Sequence, residues 1–360
     1  MKISNLRLVN FRNYEQLNID FSDNLNIIYG NNGTGKSNLI EAIYLLSLTK
    51  SFRTLDDKNL IKKDTSVALI KGFIDDNVYF MELGKDGKKI FVDNKKVTKI
   101  SDYISKINII LFNPLDTKII TDSPNSRRKM LNIEISQIDS NYVNLISSYN
   151  KVLKHRNAYL KELMINGNAS KEYLNILTNK LIDIGLQIHK TRQNYIDLIN
   201  ENLTKIYKNI FDYGTLFIKY DSVFNGKSRE DIEEMYQKYY RKEISYGKTF
   251  FGIHHDDIEF LLDNYNIREY GSIGQQKNAI ISFKLAELII IKKINGTYPI
   301  LILDDLFSEL DNSKINNIIN MLNREVQTFI TTTNIENVDK MLLKGSNIYF
   351  ADNGSIERID

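Results

Sequence analysis

Gly30-Asn31-Asn32-Gly33-Thr34-Gly35-Lys36-Ser37 is the stretch on which the fold turns. It fits GxxxxGK[ST]. The glycines let the backbone curl so that its N–H groups point inward at phosphate oxygens. Lys36 supplies a point charge to the β- and γ-phosphates, and the Ser37 hydroxyl is placed to ligate Mg²⁺. Upstream, residues 26–29 form a short apolar run; downstream, a helical pattern covers 36–48, whose positive end adds to the anion site. Strand, glycine turn and helix form the context a phosphate loop requires.

A second element answers it. Ile300-Leu301-Ile302-Leu303-Asp304-Asp305 is an apolar strand ending in two acids. Asp304 is the candidate to hold Mg²⁺ beside Ser37. Asp305 is the candidate to orient or deprotonate the attacking water, with Glu309 as competitor. About 270 residues separate the two elements, so a sizeable insertion lies between them.

That insertion reads as helical. From Ser126 onward Ile135, Ile138, Tyr142, Leu145, Tyr149 and Val152 recur at alternating steps of three and four, a coiled-coil-like seam. Asn166-Gly167-Asn168 interrupts it, and Leu174, Leu177, Leu181, Ile184, Ile188 and Tyr195 resume it. This pattern predicts an antiparallel helical hairpin, with two helices of an ordinary bundle as the alternative. Strand signals elsewhere cover 3–10, 17–21, 67–97, 215–220 and 328–331; further helices are expected over 229–241 and 274–293. The organisation expected is an α/β ATPase head in two parts, 1–122 and 250–360, enclosing a mainly helical arm domain, 123–249.

Composition bounds the rest. The chain has 360 residues, 42% hydrophobic and 26% charged, with a formal net charge of +3. This balance supports a buried core and excludes a histone-like polycation, while leaving room for local basic patches. No cysteine is present, so disulfides and thiolate metal sites are excluded. The N-terminus lacks the apolar stretch of a signal peptide, and no window approaches a membrane span. A cytoplasmic location is expected.

A third element, Gly271-Ser272-Ile273-Gly274-Gln275-Gln276-Lys277, opens a helix shortly before the acidic strand. Ser272, Gly274 and Gln275 would present a hydroxyl, backbone N–H groups and a helix dipole to an anion. A helix cap alone would explain Ser272.

Together these motifs resemble the RecF family of SMC-like ATPases, over nearly the whole chain. The resemblance is carried by Asn10-Phe11-Arg12-Asn13-Tyr14, the loop at 30–37 with Asn38-Leu39-Ile40-Glu41-Ala42, and Lys50-Ser51-Phe52-Arg53. It continues through Ser123-Pro124-Asn125-Ser126-Arg127-Arg128, His254-His255-Asp256-Asp257, the segment 272–277, the segment 304–311 and Phe329-Ile330-Thr331-Thr332-Thr333. It implies an ABC/SMC-type head with a short helical arm, in which Ser272 meets the γ-phosphate held by a second copy. ATP then joins a homodimer, and slow, DNA-stimulated hydrolysis releases it. It implies binding to single- and double-stranded DNA at gaps or junctions, work with RecO and RecR in loading RecA, and a part in replication and SOS induction. Residues 308–311 resemble a D-loop, and 331–333 lie where related ATPases carry a switch histidine.

The chain departs from the family pattern at Ile253, His255, Ile273 and Asn334, where Pro, Arg, Gln and Asp are expected. Among the basic clusters at 88–89, 95–96, 127–129 and 151–156, Arg127 and Arg128 are the expected DNA contacts, through phosphate neutralisation. Arg12 is either an adenine or phosphate contact or a surface strand residue. The main rival is the ATPase subunit of a transporter, against which stand the helical insertion and the Ser-x-Gly-Gln-Gln signature. A phosphotransferase and a non-hydrolysing DNA clamp are the others.

Overall fold

The computed structural model describes residues 1–166, 170–305, 310, 312–322, 325–338 and 343–359. It divides into two compact units: Met1–Thr117 with Lys205–Tyr213 and Lys277–Asp360, and Lys118–Thr204 with Gly214–Gln276.

The first unit holds two six-stranded sheets. One is antiparallel, in the order β2-β1-β4-β5-β6-β7, built from β1 (Ile3–Phe11), β2 (Tyr14–Asp20), β4 (Val67–Ile74), β5 (Asn77–Gly84), β6 (Gly87–Val92) and β7 (Lys95–Lys96). Its turns fall where turn chemistry does. Gly84 and Gly87 close one hairpin, and Asp93 and Asn94 turn another at φ 48° and 63°, the left-handed pair that a two-residue hairpin loop demands.

The other sheet runs β15-β14-β3-β13-β12-β8, from β3 (Leu25–Tyr29), β8 (Ile109–Phe112), β12 (Ile300–Leu303), β13 (Thr328–Thr332), β14 (Asn347–Asp352) and β15 (Ser355–Arg358). Its strands from β14 to β8 are parallel. Strands β8 and β12 are continuously apolar and buried at every position, as strands covered on both faces should be; β13 is buried throughout too but carries threonines. Helix α1 (Lys36–Leu48) contributes Leu39, Ile40, Ile43, Leu45 and Leu46 to a core shared with both sheets. A helix apolar on every side is a buried one.

The second unit contains α2 (Lys118–Thr121), α3 (Pro124–Ile138), α4 (Ser140–Asn166), most of α5 (Lys171–Phe211), α6 (Arg229–Tyr246) and α7 (Ile267–Tyr270). Helix α8 (Ile273–Asn295) begins in this unit and continues in the first. Helix α9 (Asn312–Met321) belongs to the first.

Helices α4 and α5 are consecutive, and Leu160 and Leu163 pack with Leu174 between them. Tyr159 donates from its hydroxyl to the carbonyl of Ser170 (2.9 Å). The turn expected at 166–168 falls largely outside the described residues, which break off after Asn166. The seam from Ile135 to Val152 is not one helix. It breaks at Asp139, whose carboxylate accepts the N–H groups of Asn141 (2.9 Å) and Tyr142 (3.3 Å) and so starts α4 as a cap. The 3–4 spacing survives because Ile135, Tyr142 and Tyr149 are all buried.

The unit is mainly helical, and the strand expected at 215–220 is present as β9 (Leu216–Asp221), which with β10 (Asp257–Leu262) and β11 (Tyr265–Asn266) forms a sheet in the order β11-β10-β9. Register-paired from Leu216↔Leu262 to Asp221↔Asp257, β9 and β10 bind residues 257–262 to the insertion, so the compact unit closes at Gln276 rather than at 249.

Candidate nucleotide site and its family

In a parallel sheet, ligands collect beyond the carboxyl ends of the strands. Here four strand ends deliver the candidate residues: β3 leads into 30–37, β12 into Asp304 and Asp305, β13 into Thr333, and β8 into Asn113 and Pro114. They line a cavity of about 400 Å³, within the range of small-molecule sites.

The loop is held in shape by its neighbours. Gly30 (φ 154°) lies so close to β14 that a Cβ would sit 2.3 Å from the carbonyl oxygen of Ala351. At Gly35 (φ 120°) a Cβ would come within 2.7 Å of the Tyr14 hydroxyl. That hydroxyl donates to the Gly35 carbonyl (2.9 Å), and Asn13 Nδ2 donates to the Thr34 carbonyl (3.1 Å). The Asn10-to-Tyr14 motif thus clamps the loop from the antiparallel sheet.

Lys36 is 8% exposed, and its Nζ donates to the carbonyls of Gly30 (2.7 Å) and Asn31 (2.9 Å). Burial lowers its pKa, and Asp305 and Asp304 oppose that shift. Ser37 Oγ lies 3.4 Å from Asp304 Oδ1. Asp304 is 5% exposed. Its pKa is raised, first by burial and further by Asp305, against the hydrogen bonds of Thr331 and Ser37 and the charge of Arg53. A buried carboxylate beside a hydroxyl, with a second acid adjacent, is an oxygen donor set suited to a hard divalent cation that takes its other ligands from phosphates and water.

Thr331 ties the two acids together. Its Oγ1 donates to Asp304 Oδ1 (2.6 Å) and accepts the N–H of Asp305 (2.9 Å). Asp305 holds φ 51°, a left-handed conformation that aspartate adopts more readily than most non-glycine residues. One hydroxyl on the strand between β3 and β12 therefore fixes both carboxylates. Sequence reading placed Thr331 in a segment of uncertain task and missed this one.

Arg53 was also missed as a site residue. It lines the cavity, donates to Asn38 Oδ1 (2.7 Å) and lies 3.7 Å from Glu41. Glu41 is fully buried, accepts Arg12 Nε (2.8 Å) and Nη2 (2.7 Å), and also accepts the Ser51 hydroxyl. Arg12 is thus a clamp between α1, the 51–53 loop and the Asn59 carbonyl (2.8 Å). A glutamate inside the helix following a GKS loop was the available signal, since a buried carboxylate demands cationic partners.

Ser272, Gly274 and Gln275 belong to the second unit. Ser272 is exposed, accepts the Gln275 N–H on Oγ (3.2 Å), and donates its own N–H to Gln275 Oε1 (2.8 Å). This reciprocal pair is a capping box, and it occupies the Gln275 side chain. Glu309 and most of the 308–311 segment lie outside the described residues.

The expected DNA contact at Arg127 is corrected. Its guanidinium is 3% exposed, bonds both oxygens of Asp257 (2.6 and 2.7 Å), and donates to the carbonyls of Ile119, Ile120 and Asp122. It staples α2 and α3 to β10. Arg128, one residue on, donates to the Asp256 carbonyl (2.7 Å). In the 151–156 cluster Arg156 is likewise internal, paired with Glu243 at 2.6 Å.

Phosphate loop, acid-tipped strand and intervening β13 define a P-loop ATPase head of the ABC/SMC type carrying a helical insertion. Its fold is shared with the SMC head domain of Pyrococcus furiosus, at a TM-score of 0.56 and 17% identity over 99% of this chain and 95% of that one. Residues 2–357 match the family described as RecF/RecN/SMC N terminal domain. The DNA replication and repair proteins RecF of an Exiguobacterium species and of Clostridium botulinum are each 37% identical over 369 residues, covering 99% and 100% of this chain and 99% and 100% of theirs. A solved structure described as the recombination mediator protein RecF with ATP, in the RecFOR pathway, superposes at a TM-score of 0.90, with 31% identity over 99% of this chain and 97% of that one. The chain belongs to the RecF family.

Among the described residues no helix is long and apolar enough to cross a membrane. The family match leaves the transporter reading without support.

Proposed function

We propose that the chain binds ATP and Mg²⁺ in the cavity at Lys36 and Asp304, dimerises on the nucleotide, and acts on DNA as a recombination mediator in repair and replication. The supporting observation is the convergence of Lys36, Ser37, Asp304 and Thr331 at the ends of parallel strands, in a chain that matches RecF proteins from end to end.

Backbone N–H groups of 30–37 and the Lys36 ammonium take the phosphates. Ser37 and Asp304 would hold Mg²⁺, which would supply charge neutralisation to the phosphates. Asp305, in the conformation Thr331 maintains, orients the attacking water, and Arg53 faces the charge that develops on the transferred group. Ser272 of a second copy completes the site, so hydrolysis opens the dimer. On DNA the expected role is at gaps and junctions, with RecO and RecR as partners in loading RecA.

The test is ATP turnover with and without gapped DNA. Wild type should hydrolyse slowly and faster with DNA, while Lys36→Ala should bind no nucleotide. Turnover in Lys36→Ala equal to wild type would remove the site from the proposal.

A further inference from the structure

Helix α6 is electrically divided. Its first turns carry Glu230, Asp231, Glu233 and Glu234, whereas residues 236–250 carry Lys238, Arg241, Lys242 and Lys248 with Glu243 as their sole carboxylate. Glu243 is fully buried and consumed by Arg156 (2.6 Å) and the Phe250 N–H (2.8 Å). It gives the surface no negative charge. All four cations are exposed, and among the described residues none holds an ion pair. Spacings of three and four put Lys238, Arg241 and Lys242 on one side of the helix, away from buried Ile232, Tyr236 and Glu243.

The chain then turns back on this side. Gly247 ends α6 in the left-handed conformation (φ 61°), a cap that glycine adopts without strain. The return folds Phe250 against the helix end. Lys242 and Lys248 stand 5.3 and 5.2 Å from its ring centroid, and Tyr246 meets it edge-on at 5.5 Å. Tyr246 itself is 62% exposed. The positive field also reaches His255, whose pKa is lowered chiefly by burial, with Arg128 and Lys248 adding to the shift and the Thr249 backbone and Asp256 opposing it.

Cations without counter-ions, interleaved with aromatic rings, fit a ligand that is both polyanionic and ring-bearing. Phosphates neutralise the first feature, and an unpaired base stacks on the second. A duplex offers the phosphates but keeps its base faces covered.

We infer that the C-terminal half of α6 and the return through Phe250 form a binding surface for single-stranded nucleic acid, with Lys242 and Lys248 on the phosphates and Tyr246 as the stacking platform. The surface rests on the reading that the chain acts on DNA, but lies within one unit and requires no ATP.

The test uses the full chain without nucleotide and a fluorescein-labelled oligothymidylate, followed by anisotropy across a salt series. Wild type should bind it more tightly than a duplex of equal length. Lys242→Glu with Lys248→Glu should weaken binding at least ten-fold and flatten the log–log salt slope by about 1.4, two contacts' worth on a single strand. Tyr246→Ala should weaken it roughly ten-fold, and Tyr246→Phe should keep it. These side chains are exposed, so thermal unfolding and ATP binding should match wild type. If wild type binds and the variants bind equally, this surface is wrong while the DNA reading stands. If wild type binds no DNA with or without ATP, both fail. Preference for duplex with no effect of Tyr246→Ala overturns the single-strand assignment. Displacement by poly-glutamate as readily as by unlabelled oligothymidylate reassigns the surface to an acidic protein.

Discussion

Replacing Thr331 by valine removes one hydroxyl and almost no volume. The structure says what is lost: a donor 2.6 Å from Asp304 Oδ1 and an acceptor 2.9 Å from the Asp305 N–H. A hydrogen bond to a charged group contributes about 1.5–3 kcal/mol. At roughly 1.4 kcal/mol per decade, its loss corresponds to a ten- to hundred-fold effect. The loss should fall on the Mg²⁺-dependent step, because Asp304 becomes free to rotate and Asp305 loses the contact that restrains its left-handed backbone. Turnover of Thr331→Val should therefore drop ten- to hundred-fold, and its Mg²⁺ dependence should shift to higher concentration. Metal-free ATP binding, which depends on Lys36 and the loop, should be unchanged. Thr331→Ser keeps the hydroxyl and should recover most of the rate. The assay is phosphate release across a Mg²⁺ titration, with a fluorescent nucleotide to report metal-free binding. A Thr331→Val protein with wild-type turnover and Mg²⁺ response would refute the reasoning.

Other outcomes follow from the same geometry. Asp304 has a folded-state pKa above the ordinary carboxylate value of 3.8, mainly through burial. The native state therefore holds this proton more tightly than the unfolded chain, and the metal-free protein loses stability as pH rises from 3.8 through the raised value. Asp304→Asn should remove that component from thermal melts across pH, and a variant melt with the wild-type slope would count against it. Gly35→Ala should abolish nucleotide binding in a titration, because its Cβ would meet the Tyr14 hydroxyl at 2.7 Å with φ at 120°. Arg127→Ala should destabilise the protein by about 1.5–3 kcal/mol, the range for losing a hydrogen bond to a charged group, since the Asp257 left behind is 22% exposed, as read by denaturant unfolding. Equal stability with weakened DNA binding would return Arg127 to the DNA surface.

The parts of the fold written in contiguous residues were legible. Residues 30–37, α1 and β12 each carry their own pattern, and their ends fall where the sequence places them. Less legible were features made by distant residues. The β9–β10 pairing joins segments some 40 residues apart, and nothing local marks 257–262 as belonging to the insertion. The break at Asp139 was hidden because the 3–4 spacing continues across it in the next helix.

The candidate site divides in the same way. Lys36, Ser37 and Asp304 announce themselves by motif, but Thr331 acts from 27 residues beyond Asp304, and Arg53 is reached through the network of Glu41 and Asn38. Arg127 and Arg128 show the limit most plainly. Adjacent residues on a helix point about 100° apart, so a pair that reads as one basic cluster places Arg127 in the core while Arg128 remains half-buried.

In the proposed cycle, ATP joins two copies of this chain through the exposed Ser272 segment. Sedimentation velocity with and without ATP and Mg²⁺ tests it most directly, on wild type and Ser272→Arg. Wild type should shift from monomer to dimer only with ATP, and Ser272→Arg should bind ATP yet stay monomeric. Dimerisation of Ser272→Arg with ATP, to the extent seen in wild type, would contradict it.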